Sequence, residues 1–100
     1  MAFFGETYSA EDMDKLGLIN EIVPSEKLDE TTAQWAKKLA KGPTLAFART
    51  KKLFFEALST PLKEHLENER QMQIKSAETE DYKRGVFALL DKKEPEFIGK

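Results

Sequence analysis

The stretch from Thr79 to Lys100 carries a complete set of helix signals, and the rest of the chain repeats them. Thr79 is a capping residue followed by two acids, which are favourable beside the positive end of a helix dipole. The helix is expected to end in a basic pair and to stop at Pro95, after which Phe97 can fold back as an anchor. Its inward face is predicted from apolar residues at helical spacing: Tyr82, Val86, Leu89 and Leu90.

Four earlier helices are predicted from the same signals. Ser9 and Asp12 form a capping-box pattern for a short helix, Ala10 to about Leu16, that Gly17 ends. Each later helix has its own boundary residues: Ser25 and Gly42 for the second, Pro43 and about Leu58 for the third, Thr60–Pro61 and about Lys75 for the fourth. Between the first two helices, the β-branched and apolar character of residues 18–23 (LINEIV) predicts a short strand or extended strip.

The third helix is too apolar for one face of a small bundle, since apolar residues cover more than half of its circumference. It should be central, or present an outward apolar face to a partner. The fourth helix is the least apolar and is expected to be solvent-exposed or to lie at an interface. Trp35 is expected in the core. Gly85 lies within the last helix, where close packing against another backbone is the expected reason for it.

Composition sets limits on the function. One hundred residues predict a single helical domain spanning residues 1–100. The net charge of −2 favours neither nucleic acid nor an anionic membrane as a partner. Cysteine is absent, so disulfides and thiolate sites are excluded. No apolar run approaches the ~20 residues of a membrane span. The opening MAFFGETYS lacks a basic region and is expected to be an extended lead-in, or the cut end of something longer, rather than a signal peptide.

Pattern alone indicates no catalytic constellation. His65, the single histidine, lies among charged residues on a polar helix and is interpreted as a surface residue. One histidine without cysteine cannot build a typical zinc site, so no metal is expected. The carboxylates sit in caps and on polar faces, which favours dipole and solvation roles. Lys92 and Lys93 end a helix and suit its dipole, although two ammonium groups beside an apolar edge could also hold a phosphate near an aromatic base.

Three ordered motifs resemble the crotonase family, the enoyl-CoA hydratases and isomerases. The first is FGETYSAEDMDKLGLINEIV, similar to the family's G-x-x-x-S-A-x-E-A-x-x-x-G-L-V-N-x-V-V run, with Met13 where a small alanine is usual. The second is Gly42, Pro43 and Lys51, similar to G-P-x-A-x-x-x-x-K, with the lysine one position later than in that pattern. The third is similar to D-x-x-E-G-x-x-A-F-x-E-K-R-x-P-x-F and is matched by Asp81, Gly85, Ala88, Lys92, Pro95 and Phe97. Here Arg84 stands where glutamate is usual, and Leu89 where phenylalanine is usual.

The resemblance implies the C-terminal helical region of the crotonase fold, mostly α with five helices and one short extended strip. That region mediates trimer formation, and it lacks the ββα spiral that supplies the acyl-CoA site, the enolate-binding amides and the proton-shuttling carboxylates. It implies coenzyme A contacts at Leu89 and Lys92, with weaker adenine stacking because Leu89 is not aromatic. No catalytic residue and no cofactor beyond substrate coenzyme A are implied. An intracellular homo-oligomer is expected.

Three functions remain open at this point. The chain can be the C-terminal part of an acyl-CoA hydratase or isomerase and inactive alone. It can be a non-catalytic helical interaction module, or a stand-alone acyl-CoA binder. The first two are compatible and are favoured together.

Overall fold

The computed structural model describes residues 3–100, so the first two residues of the predicted lead-in lie outside it. Five α-helices and one 3-10 turn make up the regular structure of this part, and residues 3–100 contain no strand. The helices are α1 (Ala10–Lys15), α2 (Leu28–Ala40), α3 (Thr44–Ala57), α4 (Leu62–Ala77) and α5 (Glu80–Leu90), with the 3-10 turn at Ser25–Lys27. The predicted fold class, mostly α with five helices, is confirmed. Residues 18–23 pair with no strand and form an irregular connection.

The chain divides into two compact units, Met1–Trp35 and Ala36–Lys100, with the division inside α2. In the first unit the predicted capping box is present. The hydroxyl of Ser9 accepts from the Asp12 amide at 3.1 Å, and the Asp12 carboxylate accepts from the Ser9 amide at 3.3 Å. Gly17 takes the left-handed conformation, with φ at 67°, and ends α1 as predicted.

Two predictions in the first unit are wrong. Ser25 does not cap a helix, because Pro24 precedes the 3-10 turn and its carbonyl accepts from the Lys27 amide at 2.9 Å. Trp35 is not a core residue, because 46% of its surface is exposed. Its indole Nε1 donates to the Glu21 carboxylate at 3.2 Å, and its ring borders an open depression instead of filling a core.

In the second unit, α4 packs against both α3 and α5. Pro43 and Pro61 stand one position before α3 and α4 respectively, as N-cap residues without a side-chain cap. Pro43 is therefore not the first helical residue, and Thr60 is not a cap. A proline at the N-cap still suits the start of a helix, since the first amides have no intrahelical acceptor.

No apolar side chain is buried anywhere in residues 3–100, and Asp81 is the one buried residue in that range. The exposed surface includes a patch at the C-terminal end of α3, formed by Phe54, Phe55 and the C-cap residue Leu58, which are 75%, 69% and 89% exposed. We call these three residues the α3 patch. The predicted inward face of α5 is wrong: Tyr82 and Val86 are 45% and 38% exposed, and Leu89 and Leu90, at the end of the helix, are 78% and 72% exposed. Nothing in the described unit covers that end of α5.

Candidate functional site at the end of α5

The two ends of α5 are fixed by different hydrogen bonds. At the start, the Thr79 hydroxyl accepts from the Tyr82 amide at 3.1 Å, as predicted for a cap. At the end, the Lys92 amide donates to the Leu89 carbonyl at 3.2 Å, and the Lys93 amide donates to the Ala88 carbonyl at 2.8 Å. This pair of bonds is the Schellman motif. The helix therefore stops at Leu90 through its own C-terminal motif, and the prediction that Pro95 stops it is wrong.

Lys92 occupies the left-handed position of this motif, with φ at 56°. It is the one non-glycine residue with positive φ in the described chain. For an L-residue this conformation costs about 1–2 kcal/mol relative to the right-handed one. The Lys92 side chain is exposed and forms no ion pair with any described residue, whereas neighbouring Lys93 pairs with Asp91 at 3.2 Å. A strained backbone thus presents an unpaired ammonium group at the helix end.

The residues after the turn fold back along α5 and are held by the buried Asp81. Its two carboxylate oxygens accept from the amides of Ile98 at 2.7 Å and Gly99 at 2.9 Å. The Asp81 amide donates to the carbonyl of Lys100 at 2.9 Å. Asp81 is only 3% exposed, and these bonds compensate the cost of removing its carboxylate from water.

A second contact of the returning segment involves Gly85. The ring of Phe97 lies over it, so that a Cβ built at Gly85 would stand 3.5 Å from Phe97 Cε1. The predicted folding back of Phe97 is confirmed. The expected close approach of another backbone to Gly85 is wrong, because the neighbour is a side chain at ordinary contact distance.

An apolar groove of about 290 Å³ lies beside this segment, between α3 and α5. Tyr82, Val86 and Leu89 of α5 form one wall, and Leu45 and Ala46 of α3 form another. Phe97 also lines the groove. Leu89, a residue singled out from the sequence, is therefore a groove residue. Lys92, the other, lies one turn further along the chain, at the helix end.

His65 is not the simple surface residue that the sequence predicted. It is half-buried in a cleft of about 460 Å³ between α3 and α4, and its Nδ1 is buried without a hydrogen-bond partner among the described residues. In the same cleft, Arg49 donates to the Ser76 hydroxyl at 3.1 Å. The α4 residues that line the cleft recur at three- and four-residue spacing: His65, Glu69, Met72 and Ser76. Residues at this spacing share one face of a helix, so the spacing in the sequence indicates that His65 lies on the face of α4 that packs against α3.

The exposed side of α4 carries a bidentate ion pair. Arg70 donates from Nε and Nη2 to the Glu67 carboxylate at 2.8 and 2.7 Å, and Gln71 donates to the same carboxylate at 2.8 Å. These hydrogen bonds, led by those of Arg70, lower the pKa of Glu67 to about 2. The Arg70 pKa is raised by the same contact. Because the pair is exposed, it is a surface feature and not an acid–base centre.

Residues 3–100 hold no group of three or more acidic, histidine or cysteine side chains placed to bind a metal ion. In the same range, no helix combines the length and the apolar character that crossing a membrane requires.

In the second unit, these observations define a helical region with exposed apolar side chains and a cationic turn at the end of α5. Comparison with known proteins gives the family. The model of the family described as "Enoyl-CoA hydratase/isomerase" matches residues 1–100, and the chain belongs to this family, which is also called the crotonase family.

Among individual proteins, the chain is 39% identical over its full length to a Rhodobacter capsulatus protein named "Probable enoyl-CoA hydratase", and it covers 39% of that protein. It is 35% identical to the 1,2-epoxyphenylacetyl-CoA isomerase of Escherichia coli, covering 38% of it. A crystal structure of an enoyl-CoA hydratase from Polaromonas sp. JS666 matches 94% of this chain and 37% of its own, with a TM-score of 0.88 and 28% identity. The chain therefore spans about two fifths of the length of these three relatives.

Proposed function

We propose that this chain is the C-terminal helical region of an enoyl-CoA hydratase or isomerase that acts on acyl-CoA thioesters inside the cell. In this proposal it supplies a subunit interface and part of the coenzyme A contacts, while the catalytic centre lies outside it. The observation that carries the proposal is the lack of a buried apolar side chain in residues 3–100 of a chain that belongs to this family. Such a surface needs an additional partner to exclude water.

The α3 patch is the proposed interface, and its occupant is a second copy of the chain. Two adjacent phenylalanines and a leucine, all at least two-thirds exposed, give an apolar centre of the kind found at homo-oligomer interfaces. Charged residues flank the patch on α3, where Lys52 pairs with Glu56 at 3.6 Å. An apolar centre with a charged rim is the arrangement expected of an oligomer contact.

Coenzyme A contacts are proposed at Leu89 and Lys92. Leu89 offers an apolar wall, and Lys92 offers an ammonium group that is not neutralised by a described neighbour. Lysine is a common point-charge partner for phosphate. Keeping lysine in a left-handed conformation, where glycine would be unstrained, supports a use for the side chain beyond helix termination.

Absence of activity in the isolated chain is the first test. We expect the purified 100-residue chain to show no hydration of crotonyl-CoA above the buffer rate, while a full-length enoyl-CoA hydratase assayed in parallel turns it over. Clear turnover by the chain alone would contradict the proposal, because it would require a complete oxyanion-binding site within these residues.

Self-association is the second test. Light scattering should show an oligomer, and Phe54→Ser combined with Phe55→Ser should shift the mass toward that of the monomer. Lys51→Ser, on the same helix and outside the patch, is the matched control and should leave the mass unchanged. A monomeric wild-type chain that binds no apolar dye argues against the interface.

The alternative function is a stand-alone acyl-CoA-binding module, favoured by the groove beside Leu89. Calorimetry with coenzyme A on the wild-type chain, on Lys92→Ala and on Lys93→Ala examines it. We expect Lys92→Ala to weaken binding and Lys93→Ala to have a smaller effect, since Lys93 already pairs with Asp91. Equal binding by the wild type and by Lys92→Ala would remove Lys92 from the site.

A further inference from the structure

We propose that Asp81 is a positioning residue: it fastens residues 96–100 along α5 and thereby fixes the turn that presents Lys92. The proposal rests on the coenzyme A contact of Lys92 in the proposed function and adds the residue that prepares this contact. Asp81 itself touches no ligand in this scheme, because its carboxylate is buried and both of its oxygens are engaged by backbone amides.

The hydrogen bonds of Asp81 form a closed set around the returning segment. Two consecutive amides, those of Ile98 and Gly99, donate to the two carboxylate oxygens, and the backbone of Lys100 accepts from the Asp81 amide. Hydrogen bonds to a charged acceptor are the stronger kind. Asp81 also lies in the first turn of α5, where the helix dipole favours a carboxylate. These hydrogen bonds therefore fix which residues of the returning segment lie beside Asp81, and they stabilise that arrangement.

Two further contacts hold the segment closer to the turn. Arg84 Nη1 donates to the carbonyl of Glu96 at 3.3 Å, and the Phe97 ring lies over Gly85. Asp81, Arg84 and Gly85 lie within about one helical turn of each other on α5. Together, these three residues hold residues 96–100 against one face of α5.

The turn that carries Lys92 is thus held at both ends. On one side the Schellman hydrogen bonds of Lys92 and Lys93 tie it to α5, and on the other side the fastened segment begins at Glu96. Only residues 91–95 lie between the end of α5 at Leu90 and Glu96. A short connection with both ends fixed has few backbone conformations, which keeps the strained left-handed state of Lys92 populated. Preorganising a contact group in this way improves affinity without adding a contact.

The test compares Asp81→Asn with Glu80→Gln in the full chain. Both variants remove one negative charge from the first turn of α5, but Glu80 is exposed and pairs with Lys83 on the surface. In Asp81→Asn an amide group faces one of the two backbone donors. We expect the amides of Ile98 and Gly99 to lose about tenfold or more in hydrogen-exchange protection. Glu80→Gln should leave their protection unchanged.

Calorimetry with coenzyme A tests the positioning role directly, because a purely structural role of Asp81 would leave the affinity for coenzyme A unchanged. We expect Asp81→Asn to weaken binding several-fold, and we expect it to have no further effect in a Lys92→Ala background. That non-additivity is the signature of a residue acting through Lys92. The helical content measured by circular dichroism should stay at the wild-type value, which separates release of the segment from unfolding.

The possible failures are distinguishable. If the wild-type chain and Lys92→Ala both fail to bind coenzyme A, the proposed contact itself is overturned. If the wild type binds, Lys92→Ala weakens binding and Asp81→Asn does not, only the positioning role is overturned. A protected Ile98 amide in Asp81→Asn overturns the attachment. An additive loss in the double variant also overturns action through Lys92.

Discussion

Gly17 and Lys92 hold the same position in two copies of one helix-ending motif. Gly17 has φ at 67° and Lys92 has φ at 56°. In each copy two amides bond back to the helix: those of Gly17 and Leu18 after α1, and those of Lys92 and Lys93 after α5. Glycine reaches this conformation without steric cost, whereas a side chain does not. The two helix ends therefore differ in strain although their hydrogen bonds are equivalent.

The first prediction is that Lys92→Gly stabilises the chain while Gly17→Ala destabilises it. Each change should alter the free energy of unfolding by about 1 kcal/mol, in opposite directions, because one relieves left-handed strain and the other introduces it. Urea denaturation followed by circular dichroism measures both.

Lys93→Gly is the control for the first prediction, since Lys93 carries the same charge and has no positive φ. It should not stabilise the chain, because extra backbone freedom favours the unfolded state. A loss of stability in Lys92→Gly equal to that in Lys93→Gly would show that the left-handed conformation carries no strain.

Local chemistry made the helix starts of α1 and α5 predictable. Ser9 and Thr79 each bond to an amide three residues ahead, so their environment is contained in four residues of sequence. Ser25 and Thr60 show the same residue types but lie beside prolines, and there the proline takes the N-cap position. Where a Ser or Thr stands next to a proline, the proline therefore decides which residue begins the helix.

Predictions about burial failed for a different reason. Leu89, Leu90 and Trp35 have the apolar character of core residues, and a hydrophobic pattern indicates only that a face needs cover. Whether the cover comes from the same chain is not encoded in the pattern. The hydrogen bonds of the Asp81 carboxylate could not be predicted either. Its partners lie 17 and 18 residues away, and they are backbone amides, which every residue type except proline has.

The second prediction is that Gly85→Ala stabilises α5. A methyl group there would stand 3.5 Å from the Phe97 ring, which is ordinary van der Waals contact. Alanine is favoured over glycine within a helix by about 1 kcal/mol, so the free energy of unfolding should rise by up to that amount. Hydrogen exchange of the α5 amides gives a local check. Reduced protection in Gly85→Ala would mean that the Phe97 ring needs the space.

The third prediction is that Gly42→Ala destabilises the second unit. A Cβ at Gly42 would overlap the Phe47 ring, so the ring has to leave its place. Phe47 is 41% exposed, so its ring can turn toward solvent, and we expect a loss of up to about 1 kcal/mol in the free energy of unfolding, at the low end of the range for overpacking. Phe47→Leu removes the end of the ring, so Gly42→Ala should cost less in that background. An equal cost in both backgrounds would assign the effect to the backbone of Gly42 instead.

The fourth prediction concerns acid titration of the α4 surface. Arg70 holds the pKa of Glu67 at about 2, so this carboxyl is protonated at a lower pH in the folded chain than in the unfolded chain. Its contribution to stability is complete above the ordinary carboxyl pKa, and it disappears as the pH falls to about 2.

Arg70→Gln should raise the Glu67 pKa toward its ordinary range, as measured by NMR titration of the side-chain carboxyl. Arg70→Lys should restore only part of the lowering of the Glu67 pKa, because lysine cannot donate the bidentate pair of hydrogen bonds that arginine makes. Lys75→Gln, on the same helix, should leave the Glu67 pKa in place. If Arg70→Gln does not raise it, the paired geometry of Glu67 and Arg70 is not the cause of the low value.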